Sequence, residues 1–231
     1  MKHVEVKPYN GDPTILVDGK PVTIMSLTTK KETRDDAAYD KYLTSLGKSG
    51  IKIYYVIAHT DWLRPGGDYT DKDGNVVHKP SGFEMFKNEV DTLLRNVPDA
   101  YIFVRLILHP PAAWVENHPD DVVRYSDGNT MPCTLVWGDD CIEDYIGHYL
   151  LASENWRTDA SKAIESFCDK VDASSFADRI IGYFFCAGGS CEWRYLVPVI
   201  DFQNYRVAAI PRHLKRFTPN TYVKNTKRKR I

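Results

Sequence analysis

"AYIFVRLILHPPAAWVENHPDDVVRYSDGN", residues 100 to 129, changes character after its ninth residue. As far as Leu108 it is apolar, aromatic or β-branched, with Arg105 the one charge. A short unbroken run of that kind is the pattern of a strand buried on both faces. From His109 it becomes a long loop rich in proline, histidine and tryptophan. Two other stretches share this plan. "IKIYYVIAH" (51–59) runs into the polar, glycine-rich residues 60–80, and "IIGYFF" (180–185) runs into "CAGGSCEW" (186–193). The connections ahead of these strands are short: "SG", "PDA" and "ADR".

Amphipathic helices fill the intervals. Asp35 or Asp36 can cap a helix that Gly47 or Gly50 ends. Ser81 caps "SGFEMFKNEVDTLLRNV", in which Phe83, Phe86, Val90, Leu93 and Leu94 share one face, and Pro98 closes it. Ser153 starts a third helix with Trp156, Ala160, Ala163, Ile164 and Phe167 on its inner side. Ahead of all this, Asp18-Gly19 between two apolar runs signals a hairpin. The run from Val22 to Leu27 reads as a buried strand ending near Ser26, Thr28 and Thr29. Within residues 60–80, Asp73-Gly74 suggests a small hairpin.

Strands alternating with helices predict an α/β fold with a parallel sheet. Long loops after the strands and short ones before them suit a partial TIM-type (β/α) barrel of about four βα units, with a short N-terminal β-hairpin. A doubly wound nucleotide fold requires a glycine-rich turn after its first strand, and "SLTTKKETRDD" has none. The barrel domain is expected over residues 1–217. The basic residues 218–231, with Lys224, Lys227, Arg228, Lys229 and Arg230, read as a disordered, solvated tail.

Composition narrows the classes. With 43% hydrophobic residues in 231, the chain can bury a sizeable core. A net charge of −1 gives no overall attraction to nucleic acid or acidic lipid. Five cysteines (133, 141, 168, 186, 191) contain no CxxC pair, so no metal site is expected and free thiols are. No apolar run reaches the length of a membrane helix, and "MKHVEVKPYN" has no signal-peptide core. A cytoplasmic protein without cofactor is the expectation.

The strand ends gather chemistry. His59, Asp61 and Trp62 follow the second strand; Arg105, His109, Trp114 and His118 belong to or follow the third; Glu192 and Trp193 follow the fourth. Tryptophans can cover the C–H face of a sugar ring while charged groups bind its hydroxyls. Each residue also has a plainer reading, as packing, an ion-pair member or a helix cap.

Four segments together, "ILVDGKPV" (15–22), "PDAYIFVRLILHPPAAWVENHPDDVVRYSDG" (98–128), "ENWRTDASKAI" (154–164) and "RIIGYFFCAGGSCEW" (179–193), carry a resemblance. Over about residues 12–200 the chain resembles the N-terminal half of the clan A glycoside hydrolases of the beta-galactosidase type, family 42 and its relatives. The resemblance implies that Glu192 is the general acid/base at the end of the fourth strand. It implies a carbohydrate substrate, with Asp61, Trp62, Arg105, His109, Trp114 and Trp193 as binding residues. Cys191 stands where many of these enzymes have an asparagine for the sugar 2-hydroxyl. Retaining cleavage uses two carboxyl groups about 5–5.5 Å apart. In the clan the nucleophile is a glutamate on the seventh strand, beyond what four strands supply. A truncated glycosidase, weakly active or inactive alone and able to dimerise through an exposed barrel edge, is therefore expected. The alternative is a non-catalytic carbohydrate-binding module.

Overall fold

The computed structural model describes residues 2–23, the backbone of 26–29, then 36–125, 149–188, 193 and 208–209. In chain order the elements are β1 (Val4–Tyr9), β2 (Asp12–Val17), β3 (Lys20–Val22), β4 (Ser26–Thr29), α1 (Asp36–Lys48) and β5 (Ile53–His59). There follow β6 (Gly67–Thr70), β7 (Val76–Lys79), α2 (Gly82–Asn96), β8 (Tyr101–Ile107) and α3 (Ala112–Asn117). The last are β9 (Arg124–Tyr125), α4 (Glu154–Asp172), β10 (Ile180–Cys186) and β11 (Ala208–Ala209).

The centre is a parallel sheet in the order β10-β8-β5-β4. Its register sets Ile53 beside Tyr101 and His59 beside Ile107, with Cys186 on the far side of Ile107. The three strands therefore end level with one another. Both faces are apolar, but they meet different partners. Tyr54, Val56, Ala58, Ile102, Val104 and Leu106 pack on Tyr39, Leu43, Phe86, Val90, Leu93, Trp156 and Phe167 of the helices. On the opposite face, Ile53 and Ile181 pack with Val17 and Val22 of the N-terminal strands, and Tyr101 and Phe103 join them. Farther along that face Ile57, Ile107 and Cys186 gather around Leu63.

The N-terminal strands form an antiparallel meander, β1-β2-β3. The apolar run from Val22 is interrupted: β3 ends at Val22 and the parallel sheet begins at Ser26. Pro21 explains part of this. It sits on the edge strand of the meander, where a missing N–H costs no ladder bond. The second hairpin, β6-β7, closes where Asp73-Gly74 predicts, with the Asp71 carboxylate accepting from the amides of Asp73 and Asn75, each at 2.9 Å.

Helix starts follow their caps. Ser81 and Glu84 form a reciprocal capping box on α2, and the Ser153 hydroxyl accepts from the Trp156 amide at 3.0 Å. Such caps contribute about 1 kcal/mol each. Gly82, the first residue of α2, presses against the end of β5. A Cβ there would stand 2.4 Å from the His59 carbonyl oxygen and 2.8 Å from that of Thr60. Alanine gains about 1 kcal/mol of helix propensity over glycine. The backbone collision outweighs it, and Gly82→Ala is expected to lower stability by about 1–3 kcal/mol. A fall in the urea midpoint at constant m-value checks this.

Strand β10 holds an irregularity. Ile180 pairs with Ile102 and Gly182 with Phe103, so Ile181 is the extra residue of a bulge. Gly182 then lies under the Phe103 ring, where a Cβ would approach Cε1 to 2.3 Å. Among the described residues no helix is long and apolar enough to cross a membrane.

Candidate functional site

The level ends of β5, β8 and β10 carry one cluster. The Leu108 amide donates to the Cys186 carbonyl at 2.9 Å, which extends the sheet by a residue. The Leu108 carbonyl in turn accepts from the Trp156 indole N–H at 3.2 Å, tying the first turn of α4 to the end of β8. Tyr149 stacks on Trp156 with ring centroids 4.8 Å apart and meets His109 edge-on at 5.7 Å. Its hydroxyl accepts from the Gly188 amide at 2.9 Å and lies 3.2 Å from His109 Nδ1. Which of the two groups donates depends on the imidazole tautomer.

Trp193 completes the group. Its amide donates to the Ala187 carbonyl and its indole N–H to the Phe185 carbonyl, both at 2.7 Å. Its ring meets Trp156 edge-on at 6.2 Å and is 49% exposed. The backbone φ is 55°, a left-handed value that a bulky residue rarely adopts. Two hydrogen bonds hold it there, and strain of this kind concentrates at ligand sites.

His59 stands at the end of β5. It is 5% exposed, and its Nε2 has no hydrogen-bond partner among the described residues. Burial, with smaller contributions from the Arg64 and His109 charges, pushes its pKa down to about 3, so it is neutral near pH 7.

The sequence-predicted residues separate into three places. His109 and Trp193 belong to the strand-end cluster. Arg105 lies within β8, in register with Ile57 and Phe184. By strand alternation it shares the face of Phe103 and Ile107, away from the helices. Asp61, Trp62 and Trp114 instead turn toward the helical layer. The Asp61 carboxylate accepts from the Phe83 amide at 2.8 Å and pairs with Lys170 of α4. Burial acts to raise its pKa, but Lys170 and the Phe83 N–H prevail and hold it below the ordinary carboxylate range. Trp62 meets Trp114 edge-on at 6.1 Å, and the Trp114 indole donates to Asp159 at 3.0 Å. Trp114 is buried and stacks on His118 at 4.2 Å. Glu192 and Cys191 lie outside the described residues, as does the basic tail.

Tyr149 and Trp156 were not among the candidates. Tyr149 falls in the stretch 130–151, which has no clear period, and Trp156 reads simply as an inward helix residue. Its position three residues after the cap, in a helix that starts at the strand ends, was the available signal. Among the described residues no group of His, Cys, Asp or Glu is arranged to hold a metal ion.

No family model and no curated protein matches the chain. Among solved structures, the chain is similar to a noncanonic maltogenic alpha-amylase, AmyB, from Thermotoga neapolitana, at 13% identity and a TM-score of 0.35. A structural neighbour is thus a glycoside hydrolase. The match covers 70% of this chain and only 38% of the amylase, and a likeness this slight carries no argument about the site.

Proposed function

We propose that this chain is a glycoside hydrolase-like protein, a partial (β/α) barrel of about four units, that takes a carbohydrate at the C-terminal ends of its parallel strands. The supporting observation is the level register of β5, β8 and β10, which sets His59, His109 and Cys186 along one edge of the sheet. Function collects at that edge in parallel α/β folds. Trp193, 49% exposed, provides aromatic surface there, while Tyr149, Trp156 and His109 are buried and pack around its base.

In this reading Glu192, next to Trp193 in the sequence, is the proton donor to the leaving oxygen. An apolar setting beside an indole would favour its acid form. The beta-galactosidase-like preference rests on the sequence resemblance alone. Asp61 is not offered as the second carboxylate, because it is engaged by the Phe83 amide and Lys170 on the helical side. That engagement favours the second reading, a carbohydrate-binding module with little or no catalysis.

The expected result with a panel of aryl glycosides is slow turnover or none, since general acid catalysis by itself contributes about 10²–10⁴-fold. Any turnover present disappears in Glu192→Gln. Turnover that survives this substitution would remove Glu192 from the mechanism.

A further inference from the structure

The residues that turned away from the strand ends build a place of their own. Asp61, Trp62, Asp159, Lys162, Ser166 and Phe167 line a cavity of about 410 Å³ between the loop after β5 and the exposed side of α4. That volume lies within the range of small-molecule sites. Its apolar part is the half-buried Trp62 and the Phe167 ring. Its polar part is Asp61, Asp159, Lys162 and Ser166; Asp159 pairs with Lys162 at 3.1 Å, and Asp61 pairs with Lys170, which is not a lining residue. The Trp114 indole N–H holds the Asp159 carboxyl below its usual range; burial opposes it, and Lys162 adds to the lowering. Both carboxylates therefore accept hydrogen bonds at neutral pH, while both lysines are solvent-exposed donors.

The geometry points to this groove as a second binding site, for a neutral saccharide of one or two rings. The charge balance chooses the class. Two carboxylates and two ammonium groups sum to zero around the cavity, so a cationic or anionic ligand would have to break an existing pair. A sugar hydroxyl both donates and accepts, and can add to each pair without displacing it. Trp62, half-buried, gives the apolar C–H face of a ring something to lie against, while Phe167 is 2% exposed and adds little surface. This assignment uses none of the strand-end residues and does not depend on catalysis by Glu192.

Calorimetric titration of the full chain with lactose, maltose and cellobiose tests it. At least one is expected to bind. Ser166 is exposed on α4, so Ser166→Trp fills the groove without touching the core. It is expected to weaken that binding by about tenfold or more, while Ser166→Ala, which leaves the groove open, changes it by less than about threefold. His109→Ala reports on the strand-end site and is expected to leave the groove signal in place. Helix content by circular dichroism establishes that each variant is folded. No binding by any of the three sugars, equal binding by folded Ser166→Trp, or binding lost only in His109→Ala would each overturn the groove assignment. The last result would leave the strand-end proposal standing. Preferential binding of putrescine, used as a cationic control, would overturn the choice of a neutral ligand.

Discussion

Trp156→Ala is expected to lower the unfolding free energy by about 3–5 kcal/mol, the usual cost of removing a fully packed large aromatic residue. Trp156 is 3% exposed and belongs to the principal core. Three losses coincide on its removal. The ring leaves a cavity between α4 and the sheet. The Leu108 carbonyl loses the indole donor that joins helix to strand end. Tyr149 loses the surface on which it stacks, and with it the group that links His109 to the Gly188 amide. Against a total stability of about 5–15 kcal/mol, the loss is a large fraction. Trp156→Phe separates the contributions. It keeps a ring in place but not the N–H, and a hydrogen bond of this type is worth about 1 kcal/mol. Urea unfolding of both variants provides the measurement. A cost below about 1 kcal/mol for alanine would mean that α4 is not anchored there.

The second large effect is in acid. His59 takes up a proton near pH 6.5 when unfolded but only near pH 3 when folded, because burial opposes the charged form. Between those values the unfolded chain binds the proton and the folded chain does not. Stability therefore rises with pH across this window and falls as the pH is lowered through it. At and above neutral pH the contribution is constant. The loss attributable to His59 is about 3 kcal/mol between pH 7 and pH 4, from the shift and 1.36 kcal/mol per pKa unit. In His59→Gln nothing at this position titrates, so the stability–pH profile should be flatter by that amount. Parallel profiles for the two proteins would show that His59 is accessible to protons in the folded state.

Local chemistry made much of the architecture legible. Ser81 followed by Glu84, Ser153 before an apolar helix face, and Asp73-Gly74 between short strands each specify a structure within a few residues, and each appears where expected. The runs 53–59, 101–107 and 180–186 are strands because β-branched and aromatic residues fill them, and they pair in parallel. The bulge at Ile181 was not legible. A run buried on both faces has no alternation, so an added residue leaves no trace in its pattern. The site was legible in part for a related reason. Sequence places Asp61, Trp62 and Trp114 after strands, but not on a side of the sheet. That side is decided by remote partners, Lys170 and Asp159 on α4. Glu192, the residue with the sharpest expected role, lies outside the described residues.

The meander and the last strand of the sheet have consequences for synthesis. Val17 and Val22 pack together with Ile53 and Ile181, residues from opposite ends of the described chain. At roughly 5–20 residues per second, Ile181 follows Val22 off the ribosome by on the order of ten seconds. Until then the apolar side of the meander faces only part of its eventual surroundings. Contacts of such long sequence separation slow folding, because a large loop must close before they form. The meander, made well before Ile181, is therefore among the last elements to find its full set of neighbours, and during that interval its apolar strands are open to chaperones or to other nascent chains.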